Sequence, residues 1–197
     1  MAIDKFGQEG FDAVGTREIA GAVGTAMSSI TYHFGGKEGL YLAAAEHIFD
    51  HMQSVVRSEP DRLPGPEATA DQRISMICTV LRQVGEFMLA KESAPFALFI
   101  GREQQAPSPG VLKLMNERMR PMMEALVSQV RLLRTDLDDR QARATTLYLF
   151  GMAICLRHSR ASLRLLLGVD EIDPVTSDML LGQLEANARL VLEGGRT

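Results

Sequence analysis

Between Thr16 and Phe34 the sequence leaves room for two short helices joined by a tight turn, and for little else. The stretch reads Thr-Arg-Glu-Ile-Ala-Gly-Ala-Val-Gly-Thr-Ala-Met-Ser-Ser-Ile-Thr-Tyr-His-Phe. Its apolar residues recur at three- and four-residue spacing, without β-branched alternation, which is a helical pattern. Gly24 permits a sharp turn in the middle. Ile19, Val23 and Ile30 are expected to form the small core that fixes the two helices across each other. The second helix then turns Ser28, Ser29, Thr31, Tyr32 and His33 outward. That is a helix-turn-helix, and a polar helix of this size fits the major groove of DNA. The same face also suits a solvated amphipathic helix, and the segment alone does not choose between them.

The rest of the chain is read as helical nearly throughout. A first helix over residues 2–9 ends at Gly10. Thr16 is expected to cap the second, which buries Ile19, Ala20 and Val23. The third runs from Met27 to His33, with Ile30 and Phe34 inward, and Gly35-Gly36 breaks it. A longer helix follows from Lys37 to Glu59, then a loop rich in Pro and Gly. Asp71 is expected to cap a helix reaching Lys91. A short helix spans 95–104. Ser108 with Pro109 opens the next, which runs to Leu133 and kinks at Pro121. Asp138 and Gln141 form a capping box for a helix ending at Leu167. Ser177 is expected to cap the last helix, which ends at Gly194-Gly195.

Charge constrains what such a chain can bind. The net charge is −4 over 197 residues. Residues 1–50 hold three cations, Lys5, Arg17 and Lys37, against seven acids. Nonspecific phosphate attraction is therefore weak, and DNA binding would have to come from local geometry and a partner subunit. Cys78 and Cys155 lie in apolar stretches and read as reduced core residues. The apolar run from Leu147 to Leu156 is too short to span a bilayer, and no basic-then-apolar leader opens the chain. A cytoplasmic protein is expected, with no membrane partner. Nucleophile elbow, phosphate loop and dinucleotide fingerprint are missing, so no catalytic residue and no cofactor is assigned. His47 and His51 lie four apart on one helix, but the sequence names no third ligand, so no metal site is assigned.

A resemblance sharpens the first segment. Phe6-Gly-x-x-Gly-Phe11, Thr16-x-x-Ile19-Ala20, Gly24, Ile30-x-Tyr32-x-Phe34 and Lys37-Glu38-x-Leu40 together resemble the DNA-binding domain of the TetR family. Arg102-Glu103-x-x-x-Pro107-x-Pro109, Pro121, the Gly151 helix and Leu167-Gly168-Val-Asp170 resemble the C-terminal domain of its CecR-type branch. The resemblance implies an all-α fold with two domains. Residues 1–50 form a three-helix helix-turn-helix domain, and residues 51–197 a larger helical ligand-sensing and dimerisation domain. Family members carry one or two further turns of the first helix and a basic arm before the position of Ala2, so this first helix is expected to be truncated.

Position by position, the resemblance implies phosphate contacts at Thr16 and Lys37. It implies base contacts at Arg17, Met27 and Ser28, and base or phosphate contacts at Thr31, Tyr32 and His33. The expected partners are double-stranded operator DNA, a small-molecule effector and a second copy of the chain. Effector contacts are expected from Phe99, Arg102, Met115, Met119, Tyr148, Met152 and Arg157, since ligand sites join apolar walls to a few placed polar groups. The dimer is expected to use the last two helices, through Leu180, Leu184, Ala188 and Val191 and through Ala144, Leu147, Tyr148 and Gly151. The function implied is ligand-responsive regulation of transcription, by a repressor released from a palindromic operator. The alternative is a helical ligand-binding or protein-interaction module without strong DNA binding.

Overall fold

A computed structural model of the chain describes residues 1–56 and 64–194. Among the described residues there are eleven α-helices and no strand. They are α1 (Ala2–Glu9), α2 (Thr16–Ala22), α3 (Met27–Phe34), α4 (Lys37–Val56), α5 (Ala70–Leu89), α6 (Ala94–Gln105), α7 (Pro109–Arg118), α8 (Arg120–Leu133), α9 (Asp139–His158), α10 (Arg160–Leu167) and α11 (Pro174–Glu193). A single 3-10 turn, Lys91–Ser93, precedes α6. The expected extension of α4 to Glu59 and the Gly195 stop lie outside the described residues. No described helix is long and apolar enough to cross a membrane.

The chain packs as two units, Met1–Gln53 with Lys91–Arg120, and Ser54–Ala90 with Pro121–Thr197. The first unit is built around Tyr41. Its ring lies edge-on to Phe6 at 4.9 Å and to Phe11 at 5.0 Å, and 4.6 Å from Phe99. Ile19, Ala20, Ile30, Leu40 and Ile48 extend this core under α2 and α3. In the second unit α5 packs against both α9 and α11. Gly85 on α5 lies where both come close. A Cβ built there would stand 2.7 Å from Leu181 and 3.2 Å from both Leu156 and Leu184.

Several local expectations are corrected. Gly15, not Thr16, is the N-cap of α2, and its carbonyl accepts from Glu18 and Ile19. Val23 is 52% exposed because it lies past the end of α2; fully buried Val14 enters the core instead. Phe34 is 41% exposed, at the last position of α3 before the left-handed Gly35. Thr69, not Asp71, caps α5, in a reciprocal box with Gln72. Asp173, not Ser177, caps α11, accepting from the Thr176 amide with Pro174 in the first turn. The helices expected to run unbroken to Leu133 and Leu167 are interrupted at Met119 and Ser159. Cys155 is exposed, whereas Cys78 is buried as expected. The Asp138–Gln141 box forms as read.

One device recurs. Helices α1, α5 and α11 carry no basic residue in their last turns. Each receives an arginine from elsewhere in its own unit. Arg102 donates to the carbonyls of Gly7 and Gln8, Arg157 and Arg160 to those of Ala90 and Leu89, and Arg134 to that of Val191. Helix C-termini leave four carbonyls unsatisfied and carry partial negative charge, so a guanidinium is well matched to them.

Candidate nucleic-acid interface

The candidate reading surface is built from α2 and α3, with α1 and α4 beneath. Helix α3 buries only Ile30 fully, which leaves Met27, Ser28, Thr31, Tyr32 and His33 exposed. Tyr32 is 85% exposed, and its ring meets that of His33 edge-on at 5.0 Å. The Tyr32 ring lies outside the core and is available to a partner. The Thr31 hydroxyl donates to the Met27 carbonyl at 3.4 Å, so its oxygen keeps acceptor capacity toward solvent. Thr16 is half-buried at the start of α2 and Arg17 beside it is exposed.

Two of the three cations of this segment are engaged in holding it together. Lys5 bonds Glu9 at 3.3 Å and also reaches Glu18, joining α1 to α2. Those bonds raise the lysine pKa and lower that of Glu18. Lys37 donates to the Asp12 carbonyl at 3.2 Å and sits 4.6 Å over the Phe11 ring, a cation–π contact. Arg17 has no ion-pair partner among the described residues. It is therefore the cation of this surface best able to turn to a phosphate or a guanine edge. The sequence gives no signal of the Lys37 tether, since Phe11 and Asp12 lie about 25 positions upstream.

The residues read as effector contacts fall into both units. In the first, Phe99 is fully buried core, Arg102 caps α1, and Met115 and Met119 are half-buried at the edge of the core. In the second, Arg157 bonds the end of α5, Met152 is half-buried, and Tyr148 is 73% exposed. His47 and His51 both turn toward the Phe96 ring, at 6.1 and 5.3 Å. Of the residues expected at a dimer face, Leu184 and Ala188 belong to the second unit's own core. Leu147, Tyr148 and Gly151 on α9 and Val191 on α11 face outward, joined by Val175, Met179 and Leu190.

Comparison with known proteins agrees with this geometry. Residues 2–44 match the family described as bacterial regulatory proteins, tetR family. Residues 70–195 match the C-terminal domain of the HTH-type transcriptional dual regulator CecR. The CecR protein of Shigella flexneri is 27% identical over 200 residues, covering 98% of this chain and 88% of the relative. Among solved structures, a transcriptional regulator from Rhodococcus sp. Rha1 superposes with a TM-score of 0.67 at 14% identity, covering 100% of this chain and 94% of that one. A TetR-family member from Streptomyces coelicolor A3 gives 0.64 at 21% identity, over 100% of this chain and 89% of that one. The chain thus belongs to the TetR family of bacterial helix-turn-helix transcriptional regulators, with a C-terminal domain of the CecR type.

Proposed function

We propose that this regulator acts in the cytoplasm as a homodimeric repressor, released from a palindromic operator by a small molecule. The observation that carries the reading is the exposed face of α3, with Tyr32, His33, Ser28 and Thr31 beside the unpaired Arg17 of α2. On this reading Arg17, Met27 and Ser28 meet base edges. Thr16, Thr31, Tyr32, His33 and Lys37 meet phosphates or bases. Met27 offers only an apolar contact, to a thymine methyl.

Dimerisation places two such faces about one DNA turn, roughly 34 Å, apart. The outward apolar residues of α9 and α11 are the surface we assign to it. Residues 1–50 are assigned to DNA and residues 51–197 to the effector and the dimer, although α6 and α7 pack with the DNA-reading helices. For effector contact we retain, in the first unit, the half-buried Met115 on α7 and Met119 just past its end and, separately, in the second unit, Met152 on α9. The effector acts only through its differential affinity for binding and non-binding conformations. We read no enzyme here: Cys155 is exposed as a residue, yet local desolvation around its sulfur raises the thiol pKa, which opposes formation of a reactive thiolate.

The test is fluorescence anisotropy with a labelled duplex carrying the intergenic region upstream of the chain's own gene, at two salt concentrations, beside Arg17→Ala. Sequence-preferring binding that weakens with salt, and at least about tenfold with Arg17→Ala, is expected from loss of one base contact. Binding that ignores both sequence and salt would transfer the assignment to a protein-interaction module.

A further inference from the structure

The dipeptide Arg102-Glu103 on α6 stands out in the sequence and has no place in the reading surface itself. Its two side chains go to the two helices that flank α2 and α3. The Arg102 guanidinium donates from Nε to the Gly7 carbonyl at 2.8 Å and from Nη2 to the Gln8 carbonyl at 2.5 Å. It lies against Gly10, whose positive φ of 87° ends α1; a Cβ there would meet the guanidinium at 3.2 Å. Helix α1 has only eight residues and no basic side chain in its last turn. A helix this short is marginal by itself, and its end is completed by α6. The two backbones also approach closely, since a Cβ on Gly7 would come within 3.0 Å of the Pro95 carbonyl oxygen.

Glu103 is 4% exposed and divides its carboxylate between two elements. Oε1 accepts from the Tyr41 hydroxyl on α4 at 2.6 Å. Oε2 accepts from the Ser108 amide at 2.8 Å and from its hydroxyl at 3.1 Å. This is why Ser108, although at the N-cap of α7, makes no side-chain cap bond to its own helix. The Tyr41 hydroxyl is held well above the ordinary phenol range by burial and by this carboxylate, so it stays a donor. Burial makes such bonds demanding, because breaking one leaves a partner unsatisfied.

We propose that Arg102 and Glu103 are positioning residues for operator recognition: Arg102 fixes the end of α1, and Glu103 fixes α4 through Tyr41. Together they set the pose in which α2 and α3 are presented. One carboxylate bridges α4 and the α6–α7 turn, so a displacement of Ser108 is felt at Tyr41 directly. The proposal rests on the DNA-binding reading above.

The test uses the full chain, with Arg102→Met, Arg102→Lys and Tyr41→Phe beside Ile74→Val, a buried α5 residue of the other unit. Circular dichroism fixes a temperature at which all four are folded. Binding is measured to the palindrome footprinted in the upstream duplex and to the same palindrome with one base pair inserted between half-sites. Arg102→Met and Tyr41→Phe are expected to weaken binding at least tenfold and to lose most of the discrimination between the two spacings. Arg102→Lys should recover part of both, and Ile74→Val should lower the melting temperature while leaving both unchanged. Native affinity and native spacing discrimination in the folded Arg102→Met and Tyr41→Phe proteins would overturn the proposal. So would losses that follow melting temperature across all the variants. If the unmodified chain binds no duplex, the functional reading fails separately, and hydrogen exchange decides the joint. Arg102→Met should then speed exchange of α1–α3 amides at least tenfold with α5, α9 and α11 unaffected, and unchanged exchange would overturn it.

Discussion

Arg73 donates to Gln129 across 2.6 Å inside the second unit, and among the described residues every acceptor its guanidinium meets is neutral. The others are the carbonyls of Pro64, Gly65 and Pro66, at 3.4, 2.8 and 3.0 Å. Arg73 is only 6% exposed. It fastens residues 64–66 to α5 and α8 by hydrogen bonds. Arg73→Met strands the buried Gln129 oxygen and releases the carbonyls of residues 64–66, and should destabilise the protein by about 2–3 kcal/mol. Adding Gln129→Leu should recover part of that, because removing both partners costs less than removing one. Urea unfolding of the single and double variants measures it; an additive double variant would count against the pairing.

Helix α5 provides a local check on capping. Thr69→Ala removes the half of the box in which the Thr69 hydroxyl accepts from the Gln72 amide, and should cost about 1 kcal/mol. Asp71→Ala removes only an exposed pair with Arg189, at 2.9 Å, and should cost less than about 0.5 kcal/mol. Chemical denaturation of the two variants side by side would expose the reverse order if Asp71 were the cap.

Leu147 lies on the outward face of α9, away from its own unit's core. Leu147→Glu should leave the melting curve of the monomer nearly unchanged. It should weaken dimerisation by about 2–3 kcal/mol, roughly a hundredfold, through a charge buried at an apolar interface. Sedimentation velocity across a concentration series reads this. Cys155 on the same face supplies a second measurement: its alkylation should slow as protein concentration rises, while buried Cys78 stays slow throughout. Concentration-independent labelling would place the interface elsewhere.

The Lys5–Glu18 contact gives a pH dependence with a defined sign. The hydrogen bond from Lys5, and then its charge, hold the Glu18 carboxyl below its ordinary 4.5. Its contribution to stability is therefore complete above pH 4.5 and is lost as pH falls through the acid range. Lys5 is raised above 10.5 by its bonds to Glu18 and Glu9, so its share is complete below pH 10.5 and fades above it. Both groups face water and the effect is small. NMR titration of the Glu18 carboxyl should give a midpoint that moves up in Lys5→Met, and equal midpoints would remove the contact.

Much of the fold was legible in the sequence because the signals act within a turn or two. Helical periodicity identified the helices, Gly10, Gly24 and Gly35 marked real reversals, and Asp138 with Gln141 formed the box their spacing implies. The exposed face of α3 was equally legible, since it follows from which residues Ile30 leaves outside. Only tertiary structure decided the rest. Thr69 and Asp71, like Asp173 and Ser177, are both good caps by chemistry, and the choice between them depends on where the chain leaves the extended backbone. Val14 is buried and Val23 exposed because α2 stops before Val23, which an apolar pattern does not record. Arg102 and Arg157 read as polar groups of a ligand site, yet each completes a helix end, at Gly7 and at Ala90, 95 and 67 positions away. The sequence by itself determined the helices and the reading face, through forces that reach a few residues. The fold decided which charges remain free to act, because a carbonyl at a helix end takes the nearest guanidinium in space, however distant in the chain.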